Sequence, residues 1–378
     1  MFSLLTSLTI VSLIAWLVIL LLPWQPWRNR EVLEKLVMLA DEPFSLEDIS
    51  VVIPARNEAV IIGETLAALT CQGKRLQVIL VDDCSSDGTA EIASRFHDLS
   101  LTIVRGVPTP DGWTGKLWAL EQGVTRVKTT YTLLLDADIR LAPGIIAALK
   151  KLSVTQARPF VSIMACLPMG SFWEKLLTPA FIYFFKMLYP FSLANSRRRA
   201  FASAAGGCIF METRLFASIG GLESIRDALI DDCTLARRVK RAGFRTWTGQ
   251  SRRVVCVRPY AGLGELWDMV ARSAYTQLGY SIVILLLCSS VLILLFIVPP
   301  LALLTSDVVA RYIGVVAWVA MALTYIPTLL FYSLNPLWSL AFPVIGSLYL
   351  AMTWTSAIRY WKGERSRWKD RKYTRSGK

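Results

Sequence analysis

The stretch YTLLLDADIR (131–140) joins an apolar run to two aspartates that are separated by a single alanine. The apolar part predicts a buried strand. Neighbours at positions i and i+2 of a strand point to the same face, so Asp136 and Asp138 should leave the strand tip on one side. Two like charges that close together repel each other. Either a divalent cation or a solvated turn must therefore compensate for them.

Further apolar runs precede this one and alternate with helical patterns. Strands are predicted at SVVIPA (50–55), LQVILVDD (76–83) and LTIV (101–104). Helices are predicted within EAVIIGETLAAL (58–69), SSDGTAEIASRF (85–96) and GKLWALEQGV (115–124). Asn57 is the expected cap of the first of these helices. Continuous apolar strands with helices between them indicate an α/β domain whose mainly parallel sheet is covered on both faces.

Acidic residues follow three of the predicted strands. Glu58 lies just beyond the first strand, Asp82 and Asp83 end the second, and Asp136 and Asp138 follow the last. Ligands bind at the carboxyl ends of the strands in such sheets, so these residues are predicted to share one site. Turn formation and helix capping are the alternative for Asp82 and Asp83, because a Ser-Ser-Asp-Gly sequence follows them.

Lys116 stands at the start of a predicted helix, directly after Gly115 in PDGWTGKLWAL (110–120). Backbone N–H groups at a helix start, together with a lysine, suit a phosphate group. The stretch is not a Walker A loop, because Leu117 follows the lysine. The first strand is not followed by GxGxxG either, which argues against a nicotinamide or flavin site.

The general base of any reaction is expected to be a carboxylate. His97 is the only histidine, its position predicts a surface residue, and no GxSxG accompanies it as a serine hydrolase would require. In RDALIDDCTLARRVKRAGFRTW (226–247), Asp231 and Asp232 open a predicted helix. One of them can cap that helix while the other faces the cleft. The glycines in FASAAGGCIFME (201–212) would let the backbone approach a ligand closely.

Four apolar segments in the 378-residue chain predict a membrane protein. They are Phe2–Leu22, Tyr280–Leu304, Tyr312–Leu334 and Leu337–Ile358. Each is about long enough to cross a bilayer. The predicted organisation is a transmembrane anchor at 1–24, the α/β domain at 46–278, C-terminal membrane segments at 280–358 and a basic tail at 359–378.

Charge indicates how these parts are oriented. Arg28, Arg30 and Lys35 follow the first segment, which places the α/β domain in the cytoplasm. Seven cysteines without a CxxC pair agree with a reducing compartment. The basic tail of a chain with net charge +13 is expected to lie against anionic headgroups rather than nucleic acid. Three C-terminal crossings would put the tail outside, and a re-entrant or split segment, for example at Pro299-Pro300, would remove that conflict.

The motifs in this order resemble those of a family 2 glycosyltransferase with the GT-A fold, over the whole α/β domain. They are VVIPARNE (51–58), VDDCSSDGT (81–89), DAD (136–138), AAGG (204–207) and IDD (230–232). Longer strings are similar to the hopene-associated glycosyltransferases of hopanoid-producing bacteria. These are GWTGKLWAL (112–120), SFWEKLLTPAFIYFFKMLYPF (171–191), SAAGGC (203–208), ALIDDCTLARRVKRAG (228–243) and MVARSAYTQLGYS (269–281). Ceramide glucosyltransferases share the general plan.

The resemblance implies that the first half of the domain binds the sugar donor. Asp83, with Asp82 beside it, matches the aspartate that holds the base or ribose of the nucleotide. Pro54 and Glu58 stand where the first strand of the family meets the nucleotide. Lys116 would then touch the diphosphate.

The resemblance also implies a metal and a base. Asp138, helped by Asp136, matches the residues that bind Mg²⁺ or Mn²⁺ on the diphosphate, and hard divalent cations prefer such oxygen ligands. Asp232 matches the general base for the acceptor hydroxyl. Asp231 stands where the wider family commonly has glutamate. Only Arg272 remains of the QxxRW signature of processive synthases, which favours transfer of a single sugar.

Residues 171–199 are apolar enough to suggest a membrane span. They lie between Asp138 and Asp232, which must share one side of the membrane, so a single crossing is excluded. Aromatic residues interrupted by Glu174 and Lys175 predict an interfacial helix. A helix of the domain core is the alternative.

The sequence therefore predicts an inverting, metal-dependent glycosyltransferase in the bacterial inner membrane. A UDP-linked sugar is the expected donor and a lipid hydroxyl, in particular of a hopanoid, the expected acceptor. Ceramide, diacylglycerol or polyisoprenyl phosphate are alternative acceptors. A transport component is the competing class, but the membrane segments lack ionisable residues near their centres.

Overall fold

One mixed sheet lies at the centre of the α/β domain in the computed structural model, which describes residues 3–34, 46–368 and 371–374. Its strands are β1 (Ile49–Ala55), β2 (Gln77–Asp82), β3 (Ser100–Arg105), β4 (Tyr131–Leu135), β5 (Ile139–Leu141), β6 (Phe160–Cys166), β7 (Cys208–Glu212) and β8 (Thr246–Cys256). Within those residues the eight strands follow the order β3-β2-β1-β4-β7-β6-β8-β5. The first four are parallel, and β7 pairs antiparallel with β4. The predicted GT-A-like, mainly parallel sheet is thereby confirmed.

Helices precede the domain, cover its sheet and follow it. They are α1 (Leu4–Leu21), α2 (Ile62–Thr70), α3 (Thr89–Ala93), α4 (Gly115–Val124), α5 (Ile145–Thr155), α6 (Phe172–Leu188), α7 (Phe191–Ala194), α8 (Arg214–Ile219), α9 (Asp231–Arg241), α10 (Leu263–Ala271), α11 (Ala274–Gln277), α12 (Ile282–Leu292), α13 (Val298–Ala302), α14 (Val308–Phe331) and α15 (Phe342–Trp361). Short 3₁₀ helices occupy Leu222–Ile225 and Pro336–Ala341, and a π-helix at Ile293–Ile297 joins α12 to α13.

The central strands are buried on both faces, as their unbroken apolar sequence requires. Every residue of β1 is buried. Ile53 faces a cluster that contains Leu66 of α2, whereas its neighbour Val52 faces a cluster that contains Leu120 of α4. The alternation of side chains along β1 therefore fixes one helical layer on each face of the sheet.

Asn57 does not cap α2, so that prediction is wrong. The helix begins at Ile62, after Ile61, and no side chain caps it. Asn57 instead adopts a positive φ of 51°. Its side-chain oxygen accepts a hydrogen bond from the backbone N–H of Ser86 at 3.0 Å. The residue thus joins the loop after β1 to the loop after β2 at the edge of the sheet.

Four helical segments are long and apolar enough to cross a membrane, among the described residues. They are Leu4–Leu21, Ile282–Ala302, Val308–Phe331 and Pro336–Trp361. These segments coincide with the apolar runs of the sequence. Lys35 lies outside the described residues, as do 369–370 and 375–378 of the predicted basic tail. The described part of that tail begins with the end of α15 and continues in the strands β9 (Glu364–Trp368) and β10 (Arg371–Thr374).

Helix α6, within the predicted interfacial region 171–199, packs against the apolar helices. It starts with a capping box in which Ser171 and Glu174 bond each other's backbone N–H groups. Tyr183 Oη lies 2.9 Å from Thr324 Oγ1 of α14, and the Phe184 ring lies 4.7 Å from that of Tyr349 in α15. One face of α6 is thus packed against these helices, and its position at a membrane surface stays a prediction.

Candidate active site

The acidic residues predicted at strand ends meet at one edge of the sheet. Strands β2, β1 and β4 are parallel neighbours, so their carboxyl ends open on the same side. Glu58 follows β1, Asp83 follows β2, and Asp136 follows β4. The fold therefore brings together side chains that are up to about eighty residues apart in sequence.

Asp82 and Asp83 have different surroundings. The Asp82 carboxylate accepts a hydrogen bond from the backbone N–H of Ser85 at 3.2 Å, which is the turn role that its sequence allowed. Asp83 is fully buried, and its carboxylate lies 3.9 Å from Arg56 Nη1. The same guanidinium donates to the Asp83 carbonyl at 2.7 Å. Asp83 is therefore held rigidly at the end of β2, and its contact with a nucleotide stays a prediction.

Pro54 and Glu58 lie on either side of the end of β1. Pro54 is buried within the strand, opposite Val81 of β2. The backbone N–H of Glu58 donates to Thr89 Oγ1 at 2.8 Å, and the Glu58 side chain is buried as well. These contacts tie the loop after β1 to the start of α3, and contact of Pro54 and Glu58 with a nucleotide stays a prediction.

Lys116 connects the acidic residues after β4 with those at the start of α9. Its Nζ lies 2.7 Å from Asp136 Oδ1 and 3.8 Å from Asp231 Oδ2. Burial lowers the pKa of Lys116, but the charges of Asp136 and Asp231 outweigh it and raise this pKa above the ordinary value. Lys116 is therefore a permanent cation between two groups of carboxylates, a pairing that the sequence did not indicate.

Asp231 and Asp232 lie in the first turn of α9, where negative charge is favourable. The residue before the helix is Ile230 and no side chain caps it, so the expectation that one aspartate caps α9 is wrong. Asp231 contacts Lys116 instead. Asp232 accepts a hydrogen bond from the backbone N–H of Cys233 at 2.6 Å.

Asp232 lies against the small-residue run, as the sequence suggested. A methyl group added to Gly206 would lie 3.4 Å from Asp232 Oδ2 and 3.3 Å from Lys116 Nζ. Burial, followed by the charge of Asp231, raises the pKa of Asp232 to about 7. A carboxylate with that pKa can accept a proton near neutral pH, which is the property a general base needs.

The paired aspartates after β4 contact two different cations. Asp136 contacts Lys116, whereas Asp138 Oδ2 accepts a hydrogen bond from Arg258 Nε at 3.1 Å. Strand β4 ends at Leu135, so both aspartates belong to the turn before β5 rather than to a regular strand. Side-chain cations thus compensate part of the charge that YTLLLDADIR brings together.

Comparison with known proteins identifies the domain. Residues 50–220 match the family described as Glycosyl transferase family 2. The chain contains a family 2 glycosyltransferase domain. The mannosyltransferase PcManGT from Pyrobaculum calidifontis, solved in complex with GDP-Man and Mn²⁺, has a similar fold. The TM-score is 0.60 at 18% identity, over 94% of this chain and 98% of that chain.

A shorter region is similar to a curated protein. The 4,4'-diaponeurosporenoate glycosyltransferase of Staphylococcus aureus is 37% identical over 97 residues, which are 25% of this chain and 25% of that protein. The chain therefore spans about a quarter of the length of the curated relatives that it matches.

Arg258 contacts residues of the candidate active site, and the sequence analysis did not predict this. It follows β8, and the preceding backbone N–H of Val257 donates to the Asp138 carbonyl at 2.8 Å. The Arg258 guanidinium contacts both Asp138 and the buried carboxylate of Glu58. No motif quoted from the sequence contains Arg258, and its two partners lie 120 and 200 residues away.

The carboxylates of the candidate site are oxygen donors of the kind that a divalent cation prefers. Five of them share two cations, Lys116 and Arg258; they are Glu58, Asp136, Asp138, Asp231 and Asp232. Burial and the Asp138 charge raise the pKa of Asp136 despite Lys116. No group of three or more His, Cys, Asp or Glu residues with metal-ligand geometry occurs among the described residues. Mg²⁺ needs no such group, since one or two carboxylates plus substrate phosphates often suffice.

Proposed function

We propose that the protein transfers one sugar from a nucleotide-sugar donor to a hydroxyl group of a membrane lipid. The observation that carries this proposal is the position of Lys116 between Asp136 and the acidic first turn of α9, within a glycosyltransferase domain. One lysine thereby separates a donor side, formed by the residues after β4, from an acceptor side, formed by Gly206 and Asp232. Group transfer requires two such sides to face each other.

The donor would bind along the carboxyl edge of the sheet. Its base or ribose would contact Asp83, and its diphosphate would lie near Lys116 and Asp138. Mg²⁺ or Mn²⁺ held by Asp138 and Asp136 would supply positive charge to the departing nucleoside diphosphate. Lys116 would add a fixed cation at the same place, which needs no reorganisation when charge develops.

The acceptor hydroxyl would be activated by Asp232. In an inverting transfer the acceptor oxygen attacks opposite the leaving group, so one base on the acceptor side suffices. Asp232 is buried next to Gly206, and its raised pKa allows it to hold the proton that the hydroxyl releases. Asp231 keeps this pKa raised and, with Lys116, fixes the start of α9.

A UDP-linked sugar and a hopanoid hydroxyl are the proposed substrates. The hopanoid rests on the resemblance of the long sequence strings. The lipid class is supported by the Staphylococcus aureus relative, which is named for 4,4'-diaponeurosporenoate. Ceramide, diacylglycerol or polyisoprenyl phosphate are the alternative acceptors.

A membrane location is supported by the packing of the apolar helices. Thr6 of α1 donates to Asp307, which precedes α14, at 2.6 Å. At the other end of α14, Arg252 of β8 donates to Ser333 at 3.2 Å. The two contacts support an arrangement in which one end of α14 lies near the domain and the other end lies near the start of α1. We propose that α1, Ile282–Ala302 and α14 are three crossings of a bacterial inner membrane, with the domain on the cytoplasmic side.

The last apolar segment, Pro336–Trp361, is proposed to lie along the membrane surface. Its Tyr349 Oη donates to the carbonyl of Leu177 in α6 at 2.9 Å. Its end is held by an ion pair of 2.6 Å between Arg359 and Asp268 of α10. Helices α6 and α10 lie within the predicted α/β domain at 46–278, so we infer that both halves of the segment stay on its side of the membrane. The basic tail then lies on the same side as the domain, as its charge requires.

Reporter fusions test this topology. Fusion of green fluorescent protein after residue 378 should give fluorescent cells, and alkaline phosphatase at the same place should be inactive. Fusions after residue 306, between α13 and α14, should give the opposite pattern. Active phosphatase after residue 378 would show that the last segment crosses the membrane.

Purified protein in nanodiscs tests the reaction. Incubation with UDP-, GDP- and dTDP-linked sugars and bacterial lipid extracts should release nucleoside diphosphate and give a lipid whose mass has increased by one sugar. The Asp232→Asn variant is the matched control. Lipids extended by several sugars, or release without lipid product, would contradict single transfer to a lipid.

A further inference from the structure

Arg258 contacts two carboxylates that differ in their exposure to solvent. Glu58 is only 6% exposed, whereas the Asp138 side chain is 23% exposed and that of Arg258 is 38% exposed. Pairing with a cation stabilises a buried carboxylate, so we expect the contact between Arg258 and Glu58 to persist. The contact with Asp138 lies toward solvent and can be exchanged.

The exchangeable contact occupies an oxygen that a metal ion would use. Arg258 Nε lies 3.1 Å from Asp138 Oδ2, and the main chain holds the two residues together through the Val257 N–H and the Asp138 carbonyl. A divalent cation at Asp138 would face the guanidinium charge at short range, and like charges there repel strongly. The guanidinium and the cation therefore compete for Asp138 while no anion is present.

A diphosphate would change this balance. A guanidinium presents several N–H donors in a planar fork that matches phosphate oxygens. Arg258 can keep Glu58 on one side and turn its exposed side from Asp138 to the diphosphate. The anion would then separate the two positive charges.

We propose that Arg258 makes metal binding conditional on the donor: it covers Asp138 in the empty site and releases it when a nucleoside diphosphate binds the guanidinium. This proposal rests on the proposed function, because it needs a nucleoside diphosphate as ligand. It assigns to Arg258 direct contact with the donor diphosphate, in addition to its contact with the carboxylates.

Titration of Mn²⁺ followed by electron paramagnetic resonance tests the proposal on the full chain in nanodiscs. Without nucleotide, Arg258→Gln should bind Mn²⁺ about tenfold or more tightly than the parent protein, the effect of removing one neighbouring charge. UDP or GDP should raise the Mn²⁺ affinity of the parent protein strongly and that of the variant much less, because only in the parent protein must a guanidinium leave Asp138 before Mn²⁺ binds.

Arg140→Gln is the matched control, because Arg140 lies two residues after Asp138 and, among the described residues, its guanidinium forms an exposed ion pair with Glu64. It should leave both affinities unchanged. Arg258→Lys keeps a charge beside Glu58 and guards against misfolding of Arg258→Gln; its Mn²⁺ affinity without nucleotide should fall between the two.

Two results would overturn the proposal, and they are distinguishable. If the parent protein binds UDP and GDP but both Arg258 variants bind Mn²⁺ no more tightly than it does, Arg258 only positions Asp138. If the parent protein binds neither nucleotide, the proposed function itself fails.

Discussion

Transfer should depend on pH across neutrality, because the proposed base is Asp232. Burial and Asp231 raise its pKa to about 7, and only the ionised carboxylate can accept the proton of the acceptor. A group with this pKa is roughly one-tenth ionised at pH 6 and nine-tenths ionised at pH 8. The turnover number should therefore rise by about tenfold between these two values and then level off.

The Asp231→Asn variant tests the cause of this dependence. The charge of Asp231 is one of the two effects that raise the pKa of Asp232, so its removal should lower that pKa and move the rise in rate to lower pH. The assay is nucleoside diphosphate release at saturating donor, acceptor and Mn²⁺, from pH 5.5 to pH 9. A parent profile that is flat between pH 6 and pH 8, or a midpoint that moves to higher pH in the variant, would refute the assignment.

Three further predictions concern the residues around this base. Asp232→Asn should lower the turnover number roughly a hundred- to ten-thousandfold while nucleotide and Mn²⁺ binding, measured by calorimetry, persist. EDTA should abolish turnover and Mn²⁺ or Mg²⁺ restore it, and Asp138→Asn should lose both donor binding and activity; full activity in chelator would contradict the metal assignment. Lys116→Ala should weaken binding of a nucleoside diphosphate more than that of the nucleoside, and equal losses would indicate a role in folding instead.

The sequence was sufficient for features that depend on local pattern. The apolar runs of β1, β2 and β4 are continuous because both faces of these strands are buried, and the acidic residues that follow them lie at one edge because parallel strands end there. The glycines of 201–212 were predicted to let the backbone approach a ligand closely; Gly206 lies against Asp232 and Lys116, and the approach of a ligand stays a prediction.

Features that depend on distant contacts were not predictable in this way. Arg258 meets Asp138 only because β8 pairs with β5 in one register, and no local pattern encodes that register. Asn57 stands where a cap is expected, yet the chain turns at positive φ there and bonds the loop after β2. Asp231 had the sequence position of a cap, but the nearby ammonium group of Lys116 attracts it.

The single ammonium group of Lys116 makes the donor and acceptor halves energetically interdependent. Its Nζ lies within 4 Å of Asp136 on one side and of Asp231 on the other. Substitution of one aspartate therefore changes the electrostatic environment of the other. Residues that share a partner show non-additive effects, whereas residues without one are close to additive. In a double-mutant cycle, the double variant Asp136→Asn, Asp231→Asn should therefore lose a free energy of unfolding that differs from the sum of the losses in the two single variants. Asp138 contacts Arg258 instead, and its cycle with Asp231 should be nearly additive.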